Sequence, residues 1–463
     1  LLSYFRINDP YRLLGAFIIL ILINLPRLFD DSGLTYPELK SMLIGEKLTD
    51  GSSLYGQLMD YTAPLTSWVY ALVDYVGGRS ILFRQLLTLF IIFTQAAFLS
   101  LILNDKKVFP ENTYIPALIY VVAASFSFDM LALSGAILGA GFMLLAFNSL
   151  LREMEFRDHE DATFKIGFFV SMASLCLFSY SLFLIGILFM LSMFTRSTWQ
   201  KYLLLLLGYL MPHVFVATIY YLNNNLEGLW DNYYLPNLAF GGDAYFTTTS
   251  FIALAIIPIG YLIISFLLLS RDAHFTKYQS NIVTVMFMWL FFGMIQIYYA
   301  KEFRPQSFVV LLPVIAFYVT HFFLLIKRRR FAEINAWIFI GGIIAIGYLA
   351  QYQKISLIDY GALRVKPITS EIKDKSILIL DHDFSLYNQN RLGSGLLTFS
   401  LVKKVISAPD YYENIMMVNQ SFNGSDLPEI IMDPHDYMDP LLIRIPRLKA
   451  MYEKSSPGVY TLR

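Results

Sequence analysis

VIAFYVTHFFLLIKRRRFAEINAWIFIGGIIAIGYLA, residues 314–350, decides how the rest of the chain is read. Two apolar runs flank the basic turn Lys327-Arg328-Arg329-Arg330. A bilayer core about 30 Å thick needs around 20 apolar residues per helix, a length that the first run reaches when followed back to 306 and that the second nearly reaches by itself. Short loops with an excess of Lys and Arg face the cytoplasm. The stretch therefore reads as a helix arriving at the cytoplasmic side, a basic turn, and a helix leaving it.

The same pattern extends outward along the chain. With those two included, apolar runs fall near 13–26, 81–103, 113–128, 131–150, 166–195, 202–223, 249–270, 282–300, 306–326 and 335–352. The run from Ile166 to Phe194 is too long for one comfortable helix and short for two. Loop charge settles its path. With 327–330 inside, Arg271 to Lys277, Arg196 to Lys201, Arg152 to Lys165, Lys106-Lys107 and Arg6/Arg12 all fall inside only if that run crosses twice, turning near Ser179 to Ser181. The sequence thus predicts an α-helical polytopic membrane protein of about eleven spans, N-terminus in and C-terminus out. No small-residue cleavage site follows the run beginning at Leu13, so the first span is expected to stay as an anchor.

Composition agrees. The 463 residues are 56% hydrophobic and 15% charged, with mean hydropathy +0.55, against about 25% charged in soluble domains. Formal net charge is zero, which removes any global electrostatic case for nucleic acid. The single cysteine, Cys176, lies in an apolar run and excludes an internal disulfide framework.

Three pieces fall outside the membrane on this topology. The first, 27–80, is acidic, with Asp30, Asp31, Glu38, Glu46, Asp50, Asp60 and Asp74. Within it, Tyr36 to Leu48 and Leu65 to Val76 are amphipathic enough to be interfacial helices. The second, Asn223 to Thr248, is rich in aromatics, which suits the headgroup level. The third is a small soluble α/β domain over 355–463, leaving 1–354 as the membrane part. Its expected elements are strands at Ser376 to Leu380, Pro428 to Met432 and Gly458 to Leu462, and helices at Tyr411 to Phe422 and Leu441 to Tyr452.

Carboxylates beside a membrane call for a reason, since an ionised Asp at the bilayer centre costs roughly 2.5 to 3.5 kcal/mol on insertion scales. Asp129 sits in a very short outside turn, SFSFDMLALS, where it either caps the next helix or serves a site. Glu38 follows Pro37 in LTYPELKSMLIGEKLTDG, in the first turn of a helix; it is a cap or a general base.

From Pro26 to Arg84 the chain reads PRLFDDSGLTYPELKSMLIGEKLTDGSSLYGQLMDYTAPLTSWVYALVDYVGGRSILFR. This resembles the first external loop of GT-C superfamily polyprenyl-phosphate-sugar glycosyltransferases, of the protein O-mannosyltransferase and aminoarabinose-transferase type. The matching pieces are Glu38, Gly51 to Tyr55, Asp60 to Pro64-Leu65, and Arg79/Arg84. KEFRPQSFVVLLPVIAF (301–317) is similar to the family's charged, aromatic lead into an L-L-P span, and the tail from Pro428 looks like that of bacterial members. One departure stands out: the family's acidic pair is usually Asp-Glu, whereas here Pro37 precedes Glu38 and Asp30-Asp31 lie upstream in another register. Asp30 and Asp31 therefore stay open as alternative acids.

The resemblance implies a sugar on polyprenyl phosphate as donor, transfer at the outer face of a bacterial inner membrane, and no nucleotide. It implies a carboxylate base (Glu38 first, Asp60 or Asp129 next) and Arg84, Lys301 and Arg304 as cations for the departing phosphate. No cofactor is called for. A divalent metal stays open, with His382 (in DHD) and His435 (in DPHD) as the nearest approach to a ligand pair. The Pro37 departure motivates a second reading, a catalytically silent GT-C-like membrane subunit of an envelope complex, with the tail docking protein partners. A secondary transporter fits less well, for want of a hydropathy repeat between halves, and no nucleotide-binding loop points to a pump.

Overall fold

The computed structural model describes all residues except 31–33, 156–159, 196–197, 273–274, 368–371 and 423–426. Asp31 therefore lies outside the described residues. The chain forms two compact units. The first comprises Leu1–Gly33, Ile81–Phe215 and Phe240–Leu363; the second gathers Leu34–Ser80, Val216–Ala239 and Arg364–Arg463. This division does not follow a cut at residue 354, because the acidic first loop clusters with the tail rather than with the spans.

The first unit is helical and apolar. Six described helices are long and apolar enough to cross a membrane: Ile81–Asp105, Gly135–Glu155, Trp199–Leu222, Lys277–Tyr299, Pro305–Leu325 and Arg329–Gln351. A pair bent by 68°, Thr248–Leu254 and Ile256–Arg271, makes a seventh if it is one span. The other expected spans are shorter helices, Arg12–Leu28, Ile115–Ala123, Glu160–Cys176 and Leu182–Phe194. Length and composition thus qualify six or seven helices where the sequence suggests about eleven. The chain is a multi-pass membrane protein.

Two of the short helices have clear physical causes. From Ile115 to Leu133 every residue is buried, so neighbouring helices shield the irregular backbone at Phe128–Leu131 from lipid, which open backbone cannot face. The long run does break where loop charge requires. Glu160–Cys176 ends, a 3-10 turn spans Phe178–Ser181, and Leu182–Phe194 begins. The Ser179 hydroxyl accepts from Gln296 Nε2 at 2.7 Å, and Tyr209 donates to the Ser181 hydroxyl at 2.8 Å. Hydroxyls at the break therefore bind side chains of other helices.

Glu160–Cys176 and Trp199–Leu222 touch through backbone. A Cβ on Gly167 would fall 2.1 Å from the Leu205 carbonyl oxygen, and one on Gly208 would fall 2.3 Å from that of Phe164. Association of spans within lipid relies on such close van der Waals approach, because lipid tails supply no hydrophobic drive.

The second unit is built on a mixed sheet. Strands β1 (Ser376–Ile379), β2 (Arg391–Leu392) and β3 (Ile430–Met432) are parallel, and β4 (Tyr452–Ser456) and β5 (Val459–Leu462) complete the order β2-β1-β3-β5-β4, with β5 antiparallel to both β3 and β4. Leu378, Leu380, Val402, Ile406, Val418, Ile431, Leu441, Leu448 and Tyr460 form its core. The expected helix at 441–452 is two helices, Met438–Arg444 and Pro446–Met451. Pro446 lacks the N–H that an uninterrupted helix needs, but fits the first turn of a new one. Nothing in the sequence announces β4, whose YEKSS is mostly exposed and lacks apolar alternation.

The first loop folds into this unit as two helices, Tyr36–Thr49 and Pro64–Gly77, close to the expected bounds. Arg79 binds the Glu46 carboxylate and donates to the carbonyls of Tyr387 and Asn390, both at 2.9 Å. Asp383 ties down the start of the first helix, accepting from the Tyr36 hydroxyl at 2.8 Å and from Lys366 at 2.7 Å. Burial pushes the Asp383 carboxyl up, but hydrogen bonds from Lys366, Tyr36 and Ser385 outweigh it and bring it down to about 2. A carboxylate depressed in the folded state stabilises fully above its unfolded value near 4, and the benefit is lost as pH falls through the folded value. Asp383→Asn is therefore expected to lower stability by about 1 kcal/mol or less at neutral pH, given its partial exposure. The gap from the parent in thermal unfolding should close between pH 4 and pH 2. A gap unchanged over that interval would refute the clamp.

Candidate functional site

The sequence-predicted acids are held in different surroundings. In the second unit, Thr35 caps Tyr36–Thr49 by accepting from the Glu38 N–H at 3.3 Å, and Pro37 occupies the first turn. Glu38 is buried, at 3% exposure, at the end of the helix where a negative charge is favoured. Two residues on, Lys40 reaches Asp60, with Nζ 2.9 Å from Oδ2, and lies over the Tyr61 ring at 4.0 Å. Asp60 is wholly buried and accepts from three more directions than sequence reveals. The Thr62 N–H donates to Oδ1 at 2.6 Å, the Thr398 hydroxyl donates to Oδ2, and Lys40 supplies the charge.

Backbone pairing sets Asp60 beside Thr398. The Met59 N–H donates to the Gly395 carbonyl at 2.8 Å, and Met59 pairs with Leu396 as a parallel bridge. The Gly51 to Tyr55 element is gripped as well. Tyr55 has φ of 66°, and its hydroxyl donates to the Thr62 carbonyl. Three amides close over this segment: Asn225 donates to the Leu54 carbonyl at 2.9 Å, Asn232 to that of Tyr55 at 3.1 Å, and Asn237 to that of Tyr61 at 3.0 Å. A π-helical turn at Trp230–Tyr234 widens the helix between Asn225 and Asn237. Sequence reasoning missed Lys40, Thr398 and these asparagines, since amides that meet distant carbonyls leave no local period.

Asp129 belongs to the first unit. It is wholly buried in the turn Phe128–Leu131, with Oδ1 3.0 Å from Arg304 Nη1 and Oδ2 accepting from the Gln306 N–H at 2.8 Å. Gln306 also donates to the carbonyls of Asp129 and Ala132. The structure thus joins two of the predicted residues, Asp129 and Arg304, through one ion pair. Its alternative role as a helix cap is not what the geometry shows: Ser127, not Asp129, caps the 3-10 turn, and the carboxylate reaches across to Pro305–Leu311. Gln306 carried a usable signal, as the polar residue directly after Arg304-Pro305.

Of the remaining candidates, Arg84, Lys301 and Asp30 take other places in the first unit, and His382 and His435 lie in the second. Arg84 is wholly buried near the start of Ile81–Asp105. Lys301 donates to the Gly241 carbonyl at 2.7 Å and lines a cleft of about 480 Å³ with Phe240, Asp243, Tyr298 and Asp359. Asp30 accepts from Gln351 at 2.8 Å, and Gln351 accepts in turn from the buried Arg27. His382 and His435 pack against the Phe399 ring, and among the described residues no three of His, Cys, Asp or Glu gather as metal ligands.

No protein-family model matches the chain, and no curated protein matches its sequence. Solved structures do match. ArnT from Cupriavidus metallidurans bound to undecaprenyl phosphate aligns with a TM-score of 0.53 at 11% identity, covering 94% of this chain and 88% of that one. The apo oligosaccharyltransferase of Archaeoglobus fulgidus gives 0.51 at 10% identity over 96% and 73% of the two chains. AglB from the same organism, in complex with an inhibitory peptide and a dolichol-phosphate, gives 0.50 at 9% identity over 98% and 74%. The chain has the GT-C fold. At about 10% identity the GT-C likeness is one of architecture, as expected when packing tolerates extensive substitution that keeps volume and pattern.

Proposed function

We propose that this GT-C-fold protein transfers a sugar from a polyprenyl-phosphate carrier to an acceptor hydroxyl at the outer face of a bacterial inner membrane. The carrying observation is the fold match over 94% of the chain to ArnT bound to undecaprenyl phosphate. The loop charges support an N-terminus inside and a C-terminal domain outside. In the reaction the acceptor oxygen bonds to the anomeric carbon, the bond from that carbon to the phosphate oxygen breaks, and polyprenyl phosphate departs. A carboxylate takes the acceptor proton. Cations favour the charge that gathers on the leaving phosphate.

Glu38 is our first choice as base. Asp60 and Asp129 are next, but each already accepts hydrogen bonds at both oxygens and pairs with a buried cation, so proton capture there must first break an ion pair. Arg84, Lys301 and Arg304 are proposed as phosphate-facing cations: the two guanidinium groups can bind phosphate through paired hydrogen bonds, and the Lys301 ammonium adds a point charge. The same ion pairs favour a second reading, a catalytically silent membrane subunit of an envelope complex, because they serve structure without chemistry.

One series separates the two. Glu38→Gln is expected to cut glycan transfer at least a hundredfold at unchanged protein level, the scale of a lost general base. Asp60→Asn and Asp129→Asn should lower protein level as well as activity. Membranes that still form the envelope glycan with Glu38→Gln remove the base assignment and favour the subunit, in which Asp60→Asn and Asp129→Asn act through protein level alone.

A further inference from the structure

In the second unit β1 and β3 are neighbouring parallel strands whose outgoing connections part: β1 leads to β2 on one side, β3 to β4 and β5 on the other. Sheets of this kind collect ligands in the crevice outside the carboxyl ends of their strands, where connections diverge. Chemistry-bearing residues stand at that end on both strands. β1 runs into Asp381-His382-Asp383, and β3 runs into Asp433-Pro434-His435-Asp436.

The two loops meet. His435 Nε2 lies 3.7 Å from Asp381 Oδ1, with the two side chains 48% and 38% exposed. Both imidazoles rest on the buried Phe399 ring, His382 edge-on at 4.8 Å and His435 stacked at 6.0 Å, and Tyr437 lies 5.7 Å from His435. Asp433 shapes the second loop from beneath, accepting from the His435 N–H at 3.3 Å and the Met438 N–H at 2.6 Å. Asp436 follows at φ of 56°, a left-handed conformation of the sort that clusters in binding loops. The neighbouring cations are committed: Lys366 to Asp383 at 2.7 Å, and Lys454 to Asp436 and Asp439.

We propose that this pair of loops binds a neutral saccharide, held by Asp381, His382 and His435. The charges exclude other classes. A phosphate or nucleotide would face Asp381 and Asp436 with the nearby lysines already paired. A metal ion lacks three converging ligands among the described residues. Sugar hydroxyls suit the set. A carboxylate accepts two of them, each imidazole both donates and accepts, and the half-buried Tyr437 ring beside His435 supplies apolar surface for the C–H side of a sugar ring. The site needs no catalysis, so it stands apart from the transferase reading.

The test uses the full chain in lipid nanodiscs free of glycoside detergent. Saturation-transfer NMR with maltotriose, xylotriose and chitotriose as probes should show binding of at least one. Asp381→Asn with His435→Ala should weaken that binding tenfold or more at unchanged Tm, with His382→Ala as a separate single variant should the pair fail to fold. Glu38→Gln should bind as the parent does, which keeps this result distinct from loss of transfer. Absence of saturation transfer from all three sugars overturns the proposal. So does binding that the variants leave intact, or phosphorus line broadening by inorganic phosphate that the same substitutions abolish.

Discussion

Replacing Asp129 by alanine is expected to lower the stability of the membrane unit by about 3–5 kcal/mol, the scale for removing one partner of a buried ion pair. Arg304, only 6% exposed, would keep its charge with its closest counter-ion gone, leaving Glu302 at 3.8 Å. The Gln306 N–H would lose its acceptor too, at a further cost of about 1–3 kcal/mol if water does not enter. Asp129→Asn should lose less, since a carboxamide oxygen still serves Gln306. The decisive comparison is Asp129→Leu combined with Arg304→Met, which should recover much of the loss because two apolar groups need no counter-charge. Thermal unfolding in nanodiscs reads all four proteins. Equal losses in Asp129→Ala and in the double variant would show that the charges are not coupled.

Gly395→Ala should disable the second unit, at about 3 kcal/mol or more, the upper range for overpacking against rigid backbone. A Cβ there would lie 1.6 Å from the Gln57 carbonyl oxygen and 2.5 Å from its carbon, so the chain itself must move. The strand-like contact of Met59 with Gly395 and Leu396 would open, and Asp60, one residue on, would lose the Thr398 hydroxyl. Limited proteolysis should then cut between Gly51 and Thr62 at a protease level that leaves the parent whole. Gly260→Ala is the control, a helical position where an added Cβ meets nothing within 4 Å; it should be neutral or slightly stabilising. Matching proteolysis of Gly395→Ala and the parent would count against the close packing.

Much of the architecture was legible because lipid leaves few choices. Run length, loop charge and parity placed the break near Ser179 to Ser181, within the observed turn Phe178–Ser181, and Pro37 marked the helix it opens. Local signals failed where distant partners decide. No period in 27–80 says that it joins the tail, since Met59 meets Gly395 by backbone alone. The run 113–128 reads as a span by hydropathy, which does not show that its helix, Ile115–Ala123, is buried throughout by protein and not bathed in lipid. At the site the acids stood out as costly residues beside a membrane. Their partners did not: Lys40 and Gln306 are ordinary polar residues until the fold brings a carboxylate to them.

The second unit takes its residues from three places far apart in the chain, and this bears on biosynthesis. Leu34–Ser80 emerges early, yet β3, β4 and β5 follow some 350 residues later, roughly 20 to 70 s at the usual pace of translation. For that interval the first loop has only part of its native partners, and contacts this remote in sequence form slowly. A ribosome-stalled chain ending before Arg364 should therefore leave the Glu38 helix open to protease, and its protection should date from completion of the last strands.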